Sequence, residues 1–294
     1  MWISVTVLAW SITYPLIKLA LNYMGPFVLL EIRLLIGGAI LLAVSRGISW
    51  GRKQFISALL NVALFLVLLN LGIEYSSNPA LSAVLIYTQP AFLVVIGLVL
   101  GERVSALQAS GTALAVLGAL VSAGSVNFDL GSLLSLMGGL VWALGTVYHR
   151  RNLLGEDLLK LNAFYSLVSA VIDSPLLLVD HRIDLTVPGI TYAMLVAVLA
   201  QAVGFVFWFK GIKDLGPYIA SNTSLLVPVL AYVFSFLILG RVPNLVQVVG
   251  SAMIILGVLL TNISAGLRVE REVRNRDGSE EDNSGNSVEP RPRG

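Results

Sequence analysis

Few side chains in this chain can make or break covalent bonds, since its 294 residues include 2 His and no Cys. Disulfides, thiolate metal sites and thiol nucleophiles are therefore excluded. His149 and His181 lie near the ends of apolar runs, and no H-E-x-x-H, paired-acid or nucleophile-elbow pattern is present. The chemistry on offer is recognition. Trp10, Tyr14 and Lys18 fall at i, i+4 and i+8 on one helix face, and Pro15 beside them frees a backbone carbonyl. Trp142, Thr146 and Arg150 repeat that spacing. Tyr87, Thr88 and Gln89 precede Pro90, while Asn222, Thr223 and Ser224 precede Pro228. Carbonyls freed by proline, next to hydroxyls and amides, suit the ammonium or hydroxyl groups of a small solute; the same groups also suit repair of broken helix bonds or bridging between helices.

The elements that would position these residues are membrane spans. Hydrophobic residues make up 56% of the chain and charged ones 12%, with a mean hydropathy of +0.85, far from the ~25% charge of soluble domains. Most apolar runs approach the ~20 residues that cross a ~30 Å hydrocarbon core. Breaks rich in charge, Pro, Gly or Asn divide them into ten expected spans: 2–20, 27–44, 55–73, 79–100, 105–123, 130–149, 159–179, 190–209, 218–239 and 245–263. The first run has no basic n-region and no small-residue cleavage pattern, so it reads as a span and not as a signal peptide.

Basic residues set the expected orientation. With the N-terminus inside, inner loops hold Arg46, Arg52, Lys53, Arg103, Arg150, Arg151, Lys160, Lys210 and Lys213, against Arg182 and Arg241 outside. An even number of spans returns the C-terminus to the same side, so both termini are expected in the cytoplasm of a cell bearing this protein in its plasma membrane. The stretch 267–294 carries Arg268, Arg271, Arg274 and Arg276 and then turns almost wholly polar, which reads as a disordered tail. Its basic cluster suits topology setting, or anionic headgroups.

Two halves emerge on comparison. WSITYPLIK from Trp10 matches WALGTVYHR from Trp142, each a Trp with a base eight residues later. Pro79 and Pro90 are eleven apart, as are Pro217 and Pro228, and each pair is followed by Leu-Gly-(Glu)-Arg-Val, at Leu100 to Val104 and Leu239 to Val242. Gly111 and Gly118, then Gly250 and Gly257, each seven apart, close the units. A unit of five spans is odd, so the two enter the membrane from opposite sides, and inverted repeats place a substrate site near the midplane between them.

The run NPALSAVLIYTQPAFLVVIGLVLGERVSALQASGTALAVLGALV, from Asn78 to Val121, resembles the EamA-type repeat of the drug/metabolite transporter superfamily. AWSITYPLIK and Arg33 in span two fit as well, and the second repeat resembles the family too, with Gly240-Arg241 where the first has Gly101-Glu102-Arg103. The resemblance implies an all-α integral membrane protein of ten helices in two inverted five-helix repeats, 1–124 and 125–266. It further implies a carrier of amino acids or related metabolites, often an exporter, with a cavity lined by spans one, three, four, six, eight and nine.

On this reading the substrate-binding candidates are Trp10, Tyr14, Lys18, Tyr87, Gln89, Pro90, Trp142, Thr146, Gln201, Asn222, Ser224 and Pro228. Lys18 is equally suited to snorkelling toward headgroups. Arg33 reads as structural or gating; Glu31 and Asp173 are the intramembrane acids that proton coupling would need, and otherwise structural. Gly97 and Gly101 form a small-xxx-small packing pair. The expected partners are a small-molecule solute and the lipid bilayer, with no nucleic acid, no metal and no cofactor. Phosphorylated or nucleotide-linked sugars are the alternative cargo, but they call for several convergent bases; a membrane enzyme or a receptor-like bundle is more remote.

Overall fold

Backbone groups inside hydrocarbon must bond to one another, which leaves helices or closed barrels as spanning structures. The computed structural model describes residues 2–75, 85–102, 104–123, 129–240 and 242–284, and these form helices and connections without a strand. Pro79, Arg103, Arg241 and residues 285–294 lie outside the described residues. The helices are α1 (Trp2–Ala20), α2 (Pro26–Ser45), α3 (Arg52–Ala58), α4 (Leu64–Glu74), α5 (Gln89–Val99), α6 (Ala106–Ala123), α7 (Leu130–Asn152) and α8 (Leu158–Asp173). After them come α9 (Val187–Val196), α10 (Phe205–Leu215), α11 (Pro217–Ser224), α12 (Leu226–Leu239) and α13 (Leu245–Ser284).

These helices make ten passes. Span three joins α3 to α4 through a π-helical turn, Leu59–Ala63, and span eight joins α9 to α10 through another, Ala197–Gly204. Span nine is α11 with α12, and α5 is the described part of span four. Eight passes run 19 to 29 residues, and Gln89–Val99 and Ala106–Ser122 are shorter apolar helices. Pro26 begins α2 at a position whose N–H is not needed, Asp129 accepts from Ser132 N at 2.8 Å to start α7, and Asp157 caps α8 through Leu159 N and Lys160 N.

The inversion can be read at one crossing. α6 and α13, the last spans of the two halves, pack closely, and a Cβ built on Gly111 would lie 2.8 Å from Gly257 O, one on Gly118 2.7 Å from Gly250 O. The first glycine of one pair therefore meets the second of the other, so the helices run antiparallel, as inverted repeats require. The remaining contacts exchange in the same way: α1 packs on span eight as α7 does on span three, α1 on α12 as α7 on α5, and α2 on α8.

Spans four and nine both break just before a proline. Span four turns at Tyr87-Thr88 ahead of Pro90, and span nine breaks at Leu225 ahead of Pro228. Helices α5 and α12 then end in left-handed turns at Gly101 (φ 76°) and Gly240 (φ 67°), a geometry that favours glycine. Gly101 is thus a turn and not part of a packing pair; a Cβ on it would meet nothing within 4 Å. The final helix continues to Ser284, across the stretch where polar composition suggested disorder. Glu and Arg from Arg268 to Arg276 are good helix formers, and a helix elongates from a formed end without a new nucleus, so it runs on over the poorer formers Asp277 to Ser284.

Candidate functional site

Between the halves lies a cavity of about 340 Å³. Its mouth is beside the α1–α2 loop, the end opposite the N-terminus, where exposed Arg182 bonds to Leu21 O at 3.0 Å and Met24 O at 3.4 Å. Span one supplies Trp10, Thr13, Tyr14 and Ile17, the face on which Trp10 and Tyr14 were expected. Span two supplies Leu29, Leu30 and Arg33, span three Phe65, Leu69 and Asn70, span four Ile86 and Tyr87, span six Trp142, and span eight Val196, Ala200 and Phe205.

Aromatic rings form the floor. Trp10, Trp142 and Trp208 pack at centroid separations of 5.7, 5.6 and 5.0 Å, and Phe65 stacks on Trp142 at 4.9 Å. The indole of Trp10 is fixed by span eight: Nε1 donates to Ala200 O at 3.1 Å, and a Cβ on Gly204 would lie 2.1 Å from that nitrogen. Thr6 Oγ1 donates to Gly204 O at 3.2 Å, so span one satisfies two carbonyls of the π-helical turn. Along the wall, Tyr14 donates to the Tyr87 hydroxyl at 3.2 Å.

Arg33 sits half-buried in this wall. Its Nε donates to Gln201 Oε1 at 3.0 Å, Gln201 Nε2 donates to Ser166 Oγ at 2.9 Å, and the guanidinium lies over the Phe205 ring at 5.8 Å. Gln201, expected as a contact, instead positions Arg33 from behind.

Beyond the floor the molecule is closed. His149 packs on Phe209 at 4.2 Å, Tyr165 donates to Ser57 Oγ at 2.5 Å, and Asn61 Nδ2 donates to Ser57 O. At the surface of that end Glu102 pairs with Arg150 at 3.3 Å and Arg151 at 3.7 Å, and it accepts from the Tyr218 hydroxyl at 2.8 Å. Tyr218 reaches it over Gly97, where a Cβ would lie 1.7 Å from the hydroxyl oxygen.

These positions match a known architecture. Models of the EamA-like transporter family match residues 1–124 and 129–263. The chain belongs to the EamA-like transporter family. An uncharacterized transporter of Bacillus subtilis, YvbV, is 29% identical over 275 residues, 87% of this chain and 88% of its own. A probable terminal-alkyne amino-acid exporter of Streptantibioticus cattleyicolor is 30% identical over 274 residues, 87% and 91% of the two chains. A probable amino-acid metabolite efflux pump of Escherichia coli is 24% identical, covering 91% and 95%. A solved crystal structure superposes with a TM-score of 0.80 at 18% identity, covering 92% of this chain and 97% of that one, so the fold is shared.

Several candidates lie elsewhere in this EamA-like chain. Lys18 is exposed and not in the cavity wall. Gln89 is buried and donates to Thr146 Oγ1 at 3.0 Å, which engages both. Asn222 accepts from Thr112 at 3.0 Å and donates to Tyr218 O, and Ser224 donates to Ser221 O, so the polar residues before Pro228 bridge helices and mend the break. Pro90 and Pro228 shape the backbone without lining the cavity, and Glu31 and Asp173, both buried, are outside its wall. Span two takes the place the resemblance gave to span nine, because the cavity occupies only the half of the interface nearest its mouth. Phe65, Leu69 and Phe205 were missed; Phe205 does follow Gln201 by one helical turn.

Proposed function

We propose that this protein is a secondary carrier that exports small metabolites, amino acids or related zwitterionic compounds, across the plasma membrane by alternating access, with both termini cytoplasmic. The observation that carries this reading is a cavity at the interface of two inverted halves, reached from one end and sealed at the other. The names of two relatives support an amino-acid cargo, and the basic residues of the loops support the orientation. A phosphorylated or nucleotide-linked sugar is less well served, since within the wall Arg33 is joined by one further base, Arg182 at the rim.

The test is efflux from liposomes holding the purified full chain and preloaded with labelled amino acids, with empty liposomes as the leak. Selective efflux that is lost in Trp10→Ala and Tyr87→Ala, both shown to fold, supports the reading. Flux no faster than leak from folded protein, for every amino acid, rejects an amino-acid cargo.

A further inference from the structure

The charge of the cavity is unbalanced. Arg33 stays protonated at any physiological pH, yet no Asp or Glu lines the wall and no ion pair to Arg33 forms among the described residues. Glu31 is two residues away on the same helix and lies outside the wall, as does Asp173. At the rim, the carboxylate of Asp180 accepts from the backbone N–H of Arg182 at 3.3 Å.

The guanidinium is also oriented. Gln201 takes Nε and is itself held by Ser166, while Phe205 lies under the plane. The two terminal nitrogens of the fork have no acceptor among the described residues. A half-buried guanidinium whose free fork opens into the cavity is a ready site for an anionic ligand.

We infer that the group this cavity recognises is a carboxylate, with Arg33 as its anchor, and that the ligand class is a small monocarboxylate with an apolar body. The inference rests on the proposed reading that this cavity is the solute site. A fork with two free parallel donors matches the two oxygens of a carboxylate. A phosphate dianion would need a second base beside Arg33, and Arg182 stands apart at the rim, where it is exposed and gives one nitrogen to Leu21 O and Met24 O. The rest of the wall, including Ile17, Leu29, Leu69 and Ile86, suits a hydrocarbon body, and about 340 Å³ is near the small end of ligand pockets. Among the described residues of the wall no acid awaits an ammonium group. An amino acid therefore binds through its carboxylate, the same carbon skeleton without the amino group binds comparably, and the amine without the carboxylate does not.

The experiment is a titration of the purified full chain in detergent, followed by the fluorescence of its tryptophans, of which Trp10 and Trp142 line the cavity. The probes are L-phenylalanine, 3-phenylpropionate and phenethylamine. Saturable changes with the first two and none with phenethylamine are expected. Arg33→Gln should weaken both carboxylates about 10- to 100-fold, with Arg33→Lys in between because it keeps the charge and loses the fork. Leu69→Trp, which fills the cavity from its apolar wall, should abolish the signal for all. Phenethylamine binding as well as the carboxylates, or carboxylate affinity unchanged in Arg33→Gln that still melts cooperatively, overturns the anchor. Should Leu69→Trp abolish binding in that case, the cavity survives as the solute site and only the carboxylate assignment fails. Binding that persists unaltered in Leu69→Trp places the ligand elsewhere and removes both. Absence of a saturable signal with all three probes, from folded protein, rejects the monocarboxylate class.

Discussion

The two ends of this molecule are made from equivalent spans, yet one is sealed and the other open. At the end bearing the termini, span six finishes in Arg150, which pairs with Glu102 at the close of span four, and Tyr218 of span nine adds a hydrogen bond to the same carboxylate. At the opposite end the equivalent of Arg150 is Lys18, exposed and without an ion pair among the described residues, and the sequence there runs from Gly240 directly to Arg241, with no acid where Glu102 stands in the first half. Closure is thus written into one repeat and left out of the other. A fold with near two-fold symmetry can thus be sealed at one end alone through a few polar residues, while the aromatic floor that separates the ends is shared by both halves through Trp10 and Trp142.

The comparison can be broken most forcefully at that floor. Trp142→Ala removes a fully buried ring that meets Trp10, Phe65 and Trp208, and should destabilise the protein by ~3–5 kcal/mol, read as a lower Tm in detergent. Gly250→Ala tests the scaffold alone: the new methyl would lie 2.5 Å from Gly118 O, for a loss of ~1–3 kcal/mol in the same assay, while the accessibility of either end stays as it was. Glu102→Gln sharpens the contrast between the ends. Two half-exposed ion pairs and a charge-assisted hydrogen bond together amount to ~1–2 kcal/mol, enough to shift the facing equilibrium about 5–30-fold. The natural absence of Cys gives a clean background for the measurement. A thiol reagent should label Ile17→Cys, part-exposed in the cavity wall, and spare Ser57→Cys, buried beneath the floor, and Glu102→Gln should raise labelling at Ser57→Cys and lower it at Ile17→Cys. Lys18→Gln, the matching change at the open end, should move stability and labelling by no more than ~0.5 kcal/mol. A large effect from Lys18→Gln would erase the asymmetry between the ends.

Much of this arrangement could be read from the sequence because it repeats. The ten passes, the inversion and the Trp10–Trp142 pair all follow from spacings that occur twice, and a spacing that occurs twice is hard to produce by lipid-facing chance. Legibility stopped where one property has two causes. Leu29, Leu30 and Leu69 line the cavity, yet an apolar side chain facing lipid looks the same in sequence, so span two was passed over. Polar residues before Pro228 looked like solute contacts, but a broken helix also exposes carbonyls, and Ser224 takes one of them at Ser221, while Asn222 is held by Thr112 of span five. Arg33 looked structural or gating, since only the three-dimensional wall shows that it faces the cavity and, among the described residues, meets no acid. The π-helical turns at Leu59–Ala63 and Ala197–Gly204 gave no warning, because a wider turn needs no proline to mark it.

The acid that one repeat has and the other lacks also has a kinetic consequence. For a carrier that moves solute down its gradient without a coupling ion, microscopic reversibility fixes the ratio of maximal rate to half-saturation concentration at one value for both directions. A carboxylate that holds one end shut therefore cannot make such a carrier one-way. Where return of the empty carrier limits the cycle, it makes the two directions unequal in each parameter separately: a higher maximal rate and a looser half-saturation from the side the resting protein faces, to which the empty carrier returns readily, slower and tighter from the other, with Glu102 setting the factor between them.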